Sequence, residues 1–186
     1  MAFNKATGKV ASINLRGDLI VREDGANTVF PGHKETIYDM TAIGNTLFYS
    51  SEMTVFCVDV TASRLRTKTV PGTTLTQGID KLAANSHSLY AASFDKGLIK
   101  ISGDNTAGFT QTATIAMSAK AVSIGLDDET VYVLKYDGEI SEFGAADLSP
   151  KRSHKCAGYK PTCIAFSSAT KELWVGDDKG KIHILS

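Results

Sequence analysis

Short stretches of alternating apolar and polar residues run the length of this chain, divided by clusters of Gly, Asp, Asn and Ser. Between residues 78 and 117 they read GIDKLAAN, SLYAASF, LIKIS and GFTQTATIAM, with Asn-Ser, Asp-Lys-Gly and Gly-Asp-Asn at the joints. Stretches rich in β-branched, aromatic and aliphatic residues, punctuated in this way, predict strands. The next unit repeats the order with AVSIGLD, TVYVLKY, EISEFGA and a fourth strand around SHKCA, and the last reads PTCIAFS, ELWVGD and KIHILS. No apolar stripe of helical spacing reaches a useful length, so the chain is predicted to be all-β.

The stretches form a repeat. ASFDKGLIKISG and VGDDKGKIHILS are near copies of one hairpin, and LKYDGEISEFGA is a looser third. Their turn glycines, Gly97, Gly138 and Gly180, stand 41 and 42 residues apart, and Gly17 lies 80 residues before Gly97. The remaining copy, LFYSSEMTVFCVDV, places Glu52-Met53 in the turn and has no glycine. A period of about 40–45 residues with four short strands per unit is the signature of propeller blades. The second and third strands of a blade must reverse tightly, and glycine supplies the positive φ such a turn needs. The acidic residue ahead of it bonds the turn amides, which makes Asp95, Asp137 and Asp178 turn formers first.

The predicted units are 1–30 (a partial blade), 31–75, 76–117, 118–157 and 158–186 (a partial blade), all in one propeller segment. The chain is expected to begin on a second-type strand and stop after a third-type strand, as a piece of a larger protein. A closed ring of seven such units would need roughly 290 residues. An open arc exposes blade edges, and self-association through them is expected.

Composition narrows the function. Of 186 residues, 42% are apolar and 22% charged, and 20 Lys+Arg balance 20 Asp+Glu. Zero net charge leaves no footprint of nucleic-acid or membrane-surface binding, and no apolar run nears the roughly 20 residues that cross a bilayer. The opening MAFNKATGKV has no apolar signal core, so export is not expected. Cys57, Cys156 and Cys163 fit no secreted disulfide framework; no disulfide is expected, and a reducing cytosol is the simplest compartment.

PGHKETIYDM, residues 31–40, looks like the Gly-His that opens a WD repeat, followed by its inner strand. TVFCVDV, residues 54–60, looks like the closing strand, keeping Asp59 of the Trp-Asp pair with Val58 in the Trp position. The other units put Arg22, Ser102, Phe143 and Leu185 in that position, so the repeats resemble WD repeats in degenerate form. The sole tryptophan, Trp174, falls on a second strand, where it is expected to be buried between blades. In order, GKVASINLRGDLIV, FPGHKETIYDM, KLAANSHSLYAASFDKGLIKI, AVSIGLDDETVYVLKYDGEI and KPTCIAFSSATKELWVGDDKGKIHIL are similar to the middle of the actin-interacting protein 1 family, two WD propellers joined side by side. The likeness runs from about Gly8 to Leu185. It implies a non-enzymatic cytoplasmic regulator of the cytoskeleton, which binds actin filaments together with cofilin (ADF), promotes their disassembly and uses no cofactor. A generic WD scaffold of another complex is the alternative, and an enzyme framed on a propeller a distant third. No particular actin or cofilin contact carries over.

Candidate chemistry is sparse. His154, Cys156, Cys163 and His183 lack the short pair spacing of structural zinc, and Cys57 and Cys163 alternate with apolar neighbours as small core residues do. His33 with Ser50 or Ser51 reads as a structural bridge within a blade. Asp127-Asp128-Glu129 and Asp177-Asp178 lack the spacing of a calcium loop. No nucleophile elbow, phosphate loop or dinucleotide fingerprint occurs, so no catalytic, cofactor or metal residue is assigned. In a propeller the second-to-third-strand turns and the loops before the inner strands share one rim. That rim would carry His33, Lys34, Glu35, Glu52, Met53, Asp95, Lys96, Tyr136, Asp137, Tyr159, Lys160, Asp178 and Lys179. Mixed charge interleaved with Tyr and Met resembles a protein-binding surface.

Overall fold

The alternating stretches fold into five antiparallel meanders. The structure, a computed structural model, describes residues 2–3, 10–14, 18–23, 25–30, 36–51, 54–61, 66–74, 78–94, 96–104 and 106–185. The first sheet runs β1 (Ala2–Phe3), β2 (Val10–Ile13), β3 (Leu19–Glu23) and β4 (Ala26–Phe30). The second runs β5 (Ile37–Ile43), β6 (Thr46–Ser51), β7 (Val55–Asp59) and β8 (Lys68–Thr69). The third holds β9 (Ile79–Ala84), β10 (Ser88–Ser93), β11 (Gly97–Asp104) and β12 (Gly108–Ile115). The fourth holds β13 (Ala121–Leu126), β14 (Thr130–Lys135), β15 (Glu139–Gly144) and β16 (Pro150–Lys155). The last has three strands, β17 (Pro161–Ser167), β18 (Glu172–Asp177) and β19 (Ile182–Leu185). No helix among the described residues is long and apolar enough to cross a membrane.

The sheets stand side by side like blades. Each touches the next through its first strand, β1 against β5, β5 against β9, β9 against β13 and β13 against β17. One apolar cluster fills each of the four spaces between neighbours. Leu47, Tyr49, Phe56 and Val58 of the second sheet close on Ala11, Leu19 and Val21 of the first. Phe48 and Val55 meet Ile79, Leu89, Ala91 and Ile99 in the second space. Tyr90, Ala92 and Leu98 meet Val131 and Val133 in the third, and Tyr132, Leu134 and Ile140 meet Ile164, Leu173 and Val175 in the fourth. Second strands β6, β10 and β14 are therefore buried along their whole length, because both of their faces are covered. This is an all-β partial propeller.

Gly97, Gly138 and Gly180 occupy equivalent second-to-third-strand turns, with φ of 81°, 81° and 76°. The equivalent Glu52-Met53 lies outside the described residues, as does Gly17. Three expectations are corrected. The first unit has four strands, since β1 precedes the strand on which the sequence was expected to open; at two residues it is too short to show alternation. Trp174 is 41% exposed rather than buried. Cys163, expected in the core, is exposed on the same outer face of the last sheet. Both corrections on that sheet have one cause: among the described residues it has a neighbouring sheet on one side only.

Two devices recur with the repeat. Every second strand from β6 onward ends in a buried polar residue, and these, Ser51, Ser93, Lys135 and Asp177, are spaced 42 residues apart. Every first strand from β5 onward carries a bulge near its start, skipping Tyr38, Asp80, Val122 and Thr162 in the pairing. The first strands are also laced to one another. Leu82 N–H donates to Asp39 Oδ2 at 2.9 Å, and Ile164 N–H donates to Ser123 Oγ at 3.2 Å, each bond crossing from one sheet to the next.

Candidate functional site

The buried polar residues at the ends of β10, β14 and β18, Ser93, Lys135 and Asp177, bond to their own turns, and the turns build one rim. Lys135 Nζ donates to Glu139 Oε1 at 2.7 Å and to Ser118 Oγ at 2.9 Å, tying turn 136–138 to the loop before β13. That ammonium, and then Ser141, hold the Glu139 carboxyl below its ordinary range. In the last sheet the same register carries the opposite charge. Asp177 Oδ1 accepts from Lys179 N–H at 2.9 Å and Lys181 N–H at 2.8 Å, and Oδ2 meets His183 Nε2 at 2.9 Å. Asp177 thus closes the hairpin that the sequence assigned to Asp178; its place at the buried strand end turns its carboxylate inward, whereas Asp178 is exposed. Asp137 does form its own turn, accepting from Glu139 N–H at 3.1 Å.

His183 first, then the backbone amides, pull the Asp177 carboxyl down to about 2. A carboxyl lowered by folding stabilises the fold above its unfolded value, about 4, and that contribution fades as pH falls toward the folded value. Asp177→Asn is therefore expected to be less stable than wild type at pH 7, with the gap closing by pH 2. Thermal unfolding of both proteins across that range checks it; a gap independent of pH would show that the charge is immaterial.

Backbone bonds join the turns to the loops before the first strands. Tyr136 N–H donates to Lys120 O at 2.8 Å and Asp178 N–H to Lys160 O at 3.0 Å. Lys155 Nζ reaches Asp137 O at 2.6 Å. Tyr159 lies flat on His183, ring centres 3.6 Å apart and planes within 5°. Burial, followed by Cys156 and Asp177, pushes its phenol up to about 12. Lys96 Nζ donates to Gly72 O at 2.9 Å, so this lysine ties the third sheet to the loop before it. The structure thus brings Lys96, Tyr136, Asp137, Tyr159, Lys160, Asp178 and Lys179 to second-to-third-strand turns and adjoining loops. His33, Lys34, Glu35, Glu52, Met53 and Asp95 lie outside the described residues.

A depression of about 300 Å³ opens between these turns, lined by Tyr38, Gly78, Asp80, Phe94 and Lys120. Bulges re-aim the side chains of the residues they leave unpaired, and two of the skipped residues, Tyr38 and Asp80, line this depression. Asp80 takes an ion pair from Lys120 Nζ at 2.8 Å. Phe94 is 57% exposed at one wall, and Tyr136, its equivalent 42 residues on, is 74% exposed beside Lys120. Tyr38, Asp80, Phe94 and Lys120 were missed in the sequence. For Phe94 the signal was there: it precedes Asp-Lys-Gly as Tyr136 precedes Asp-Gly. A bulge leaves no such trace, so Tyr38 read only as an inner-strand residue.

No family model matches the chain, and no curated protein matches it. Among solved structures it is similar to a computationally designed protein, Ika8, with a TM-score of 0.76 and 14% identity over 95% of this chain and 54% of that one. It thus spans about half the length of that protein. A second designed protein, Ika4, matches with a TM-score of 0.67 and 13% identity over 83% of this chain and 92% of that one. At these identities the likeness concerns the fold alone.

A wider groove of about 540 Å³ lies away from the rim, between the second and third sheets, and includes Cys57, Arg66, Lys68, Asp104 and Phe109 in its lining. Burial pushes the Cys57 thiol up, against the pull of Lys68, which leaves it the protonated, unreactive form. Asp104 is committed to its own turn, accepting from Thr106 and Ala107 N–H at 2.8 and 2.6 Å. Asp59, which also lines the groove, is bonded by the Thr61 amide and hydroxyl at 2.9 and 2.7 Å. The described residues bring no three potential metal ligands together. The rim is the better candidate site, where the exposed aromatics Phe94 and Tyr136 stand around an ion pair.

Proposed function

We propose that this chain is a non-enzymatic protein-binding propeller segment of WD type that acts in the cytoplasm on the actin cytoskeleton, binding actin filaments together with cofilin to promote their disassembly. One observation supports a protein-binding role: Phe94 and Tyr136 stand exposed at the same turn of adjacent blades, flanking the Lys120–Asp80 pair. Aromatic anchors set among charged groups are the composition of binding hot spots. The choice of actin and cofilin rests on the sequence resemblance.

Co-sedimentation with actin filaments, with and without cofilin, tests the reading. The chain is expected to pellet with filaments, more strongly when cofilin is present. Phe94→Ala together with Tyr136→Ala is expected to weaken binding by roughly 30-fold or more, with the unfolding midpoint little changed because both side chains are exposed. A chain that stays in the supernatant under every condition sinks the actin assignment and leaves the alternative of a scaffold for another complex.

A further inference from the structure

The same two kinds of face meet in each space between sheets. From the second sheet onward, one partner presents the aromatic of its second strand, and the next sheet presents its opposite face. Phe48, Tyr90 and Tyr132, spaced 42 residues apart, are these aromatics. Phe48 packs edge-on against Phe109 with ring centres 4.8 Å apart. The Tyr90 hydroxyl donates to Ala145 O at 2.7 Å, and Tyr132 stacks on Phe166 at 5.5 Å. Trp174 is the next residue in the series, and no sheet of the described residues covers it. Ala165 and Ile184 lie beside it across the ladder, Ile182 and Cys163 are on the same outer face, and all are exposed.

Among the described residues, the first sheet is open on the opposite side. It turns Ala11, Leu19 and Val21 inward, and its pairing places Val10, Ile20 and Val29 on the outer face, Val29 being exposed. The chain therefore carries one free face of each kind that its own interior buries together. Their charges also match. Among the described residues of the two faces, Glu172 is the charge on the last sheet, holding Trp174 Nε1 at 3.3 Å, and Arg22 is the charge on the first. Faces of different kind join head to tail, not like to like.

We infer that the outer face of the last sheet takes the first sheet of a second copy of this chain, which continues the propeller across the contact. Trp174 is the central anchor, in the position that Phe48, Tyr90 and Tyr132 hold at the interior contacts. This pairing is independent of the rim and of what the rim binds.

Sedimentation equilibrium across a concentration series tests it with wild type, Trp174→Glu, Val29→Asp and an equal mixture of the two variants. The wild-type mass is expected to rise above 19.9 kDa with concentration. Each variant alone is expected to remain monomeric, its dissociation constant raised roughly 30-fold or more. The mixture is expected to regain a dimer, because the Val29→Asp chain keeps a sound last sheet and the Trp174→Glu chain a sound first sheet. Unchanged far-ultraviolet circular dichroism shows that the variants fold; Ile182→Lys and Val29→Lys, also at exposed positions, replace either that does not. A wild-type chain that is monomeric throughout overturns the inference and leaves the face to another occupant. So do variants that associate like wild type, or a mixture that stays monomeric.

Discussion

Phe48→Ala is expected to lower the free energy of unfolding by about 3–5 kcal/mol, and Trp174→Ala, in dilute monomer, by less than about 1 kcal/mol. The two residues hold the same register, a second strand and the face toward the next sheet. They differ in what covers them. Phe48 is 0% exposed, walled by Val55, Ile79, Leu89 and Phe109. Truncating it removes a large apolar surface and leaves a cavity that four fixed strands cannot collapse into. Trp174 has its cross-strand neighbours and open space, so most of its truncation cost is absent. Urea unfolding of both variants, with equal denaturant slopes to license the comparison, checks the contrast. A Trp174→Ala cost close to that of Phe48→Ala at the lowest usable concentration would mean that its face is already covered within one chain.

The repeat was legible because turn chemistry is local. Gly-bearing reversals at steps of 41 and 42 residues, with alternating strands on either side, need no tertiary information. The 42-residue spacing of Phe48, Tyr90, Tyr132 and Trp174 was equally open to reading, but not which of them is covered. Burial of a strand's second face depends on whether another sheet stands there, and alternation is the same in either case. Trp174 and Cys163 were misplaced for that reason. The rim was legible in outline, since turns of equivalent hairpins must share an end. Its depression was not, because it depends on bulges that redirect Tyr38 and Asp80 without any sequence signature. The hairpin role given to Asp178 went to Asp177 for a related reason: the register of a strand end, not the composition of the turn, decides which carboxylate points inward.

Gly97→Ala is expected to cost about 2–5 kcal/mol, and Gly180→Ala only about 1–2 kcal/mol. Both glycines sit in equivalent turns at nearly the same positive φ, 81° and 76°, so the penalty of left-handed backbone for a residue with a side chain is common to both. The surroundings are not. A Cβ on Gly97 would lie 2.1 Å from Ile115 O and 2.7 Å from Met117 N, where the last strand of the third sheet closes over the start of β11. Both are backbone atoms, and Ile115 is held in the ladder by its pairing with Leu98, so the methyl is accommodated only by moving the strand end. Leu98 beside it belongs to the cluster between the third and fourth sheets, and the displacement would loosen that packing as well. Around Gly180, where the last sheet has three strands among the described residues, none of those residues lies within 4 Å of the added carbon. Denaturant unfolding of the two single variants measures the difference directly. Equal losses would show that residues 115–117 do not press on the turn in solution, and the third sheet would then have to pair its last strand more loosely than described.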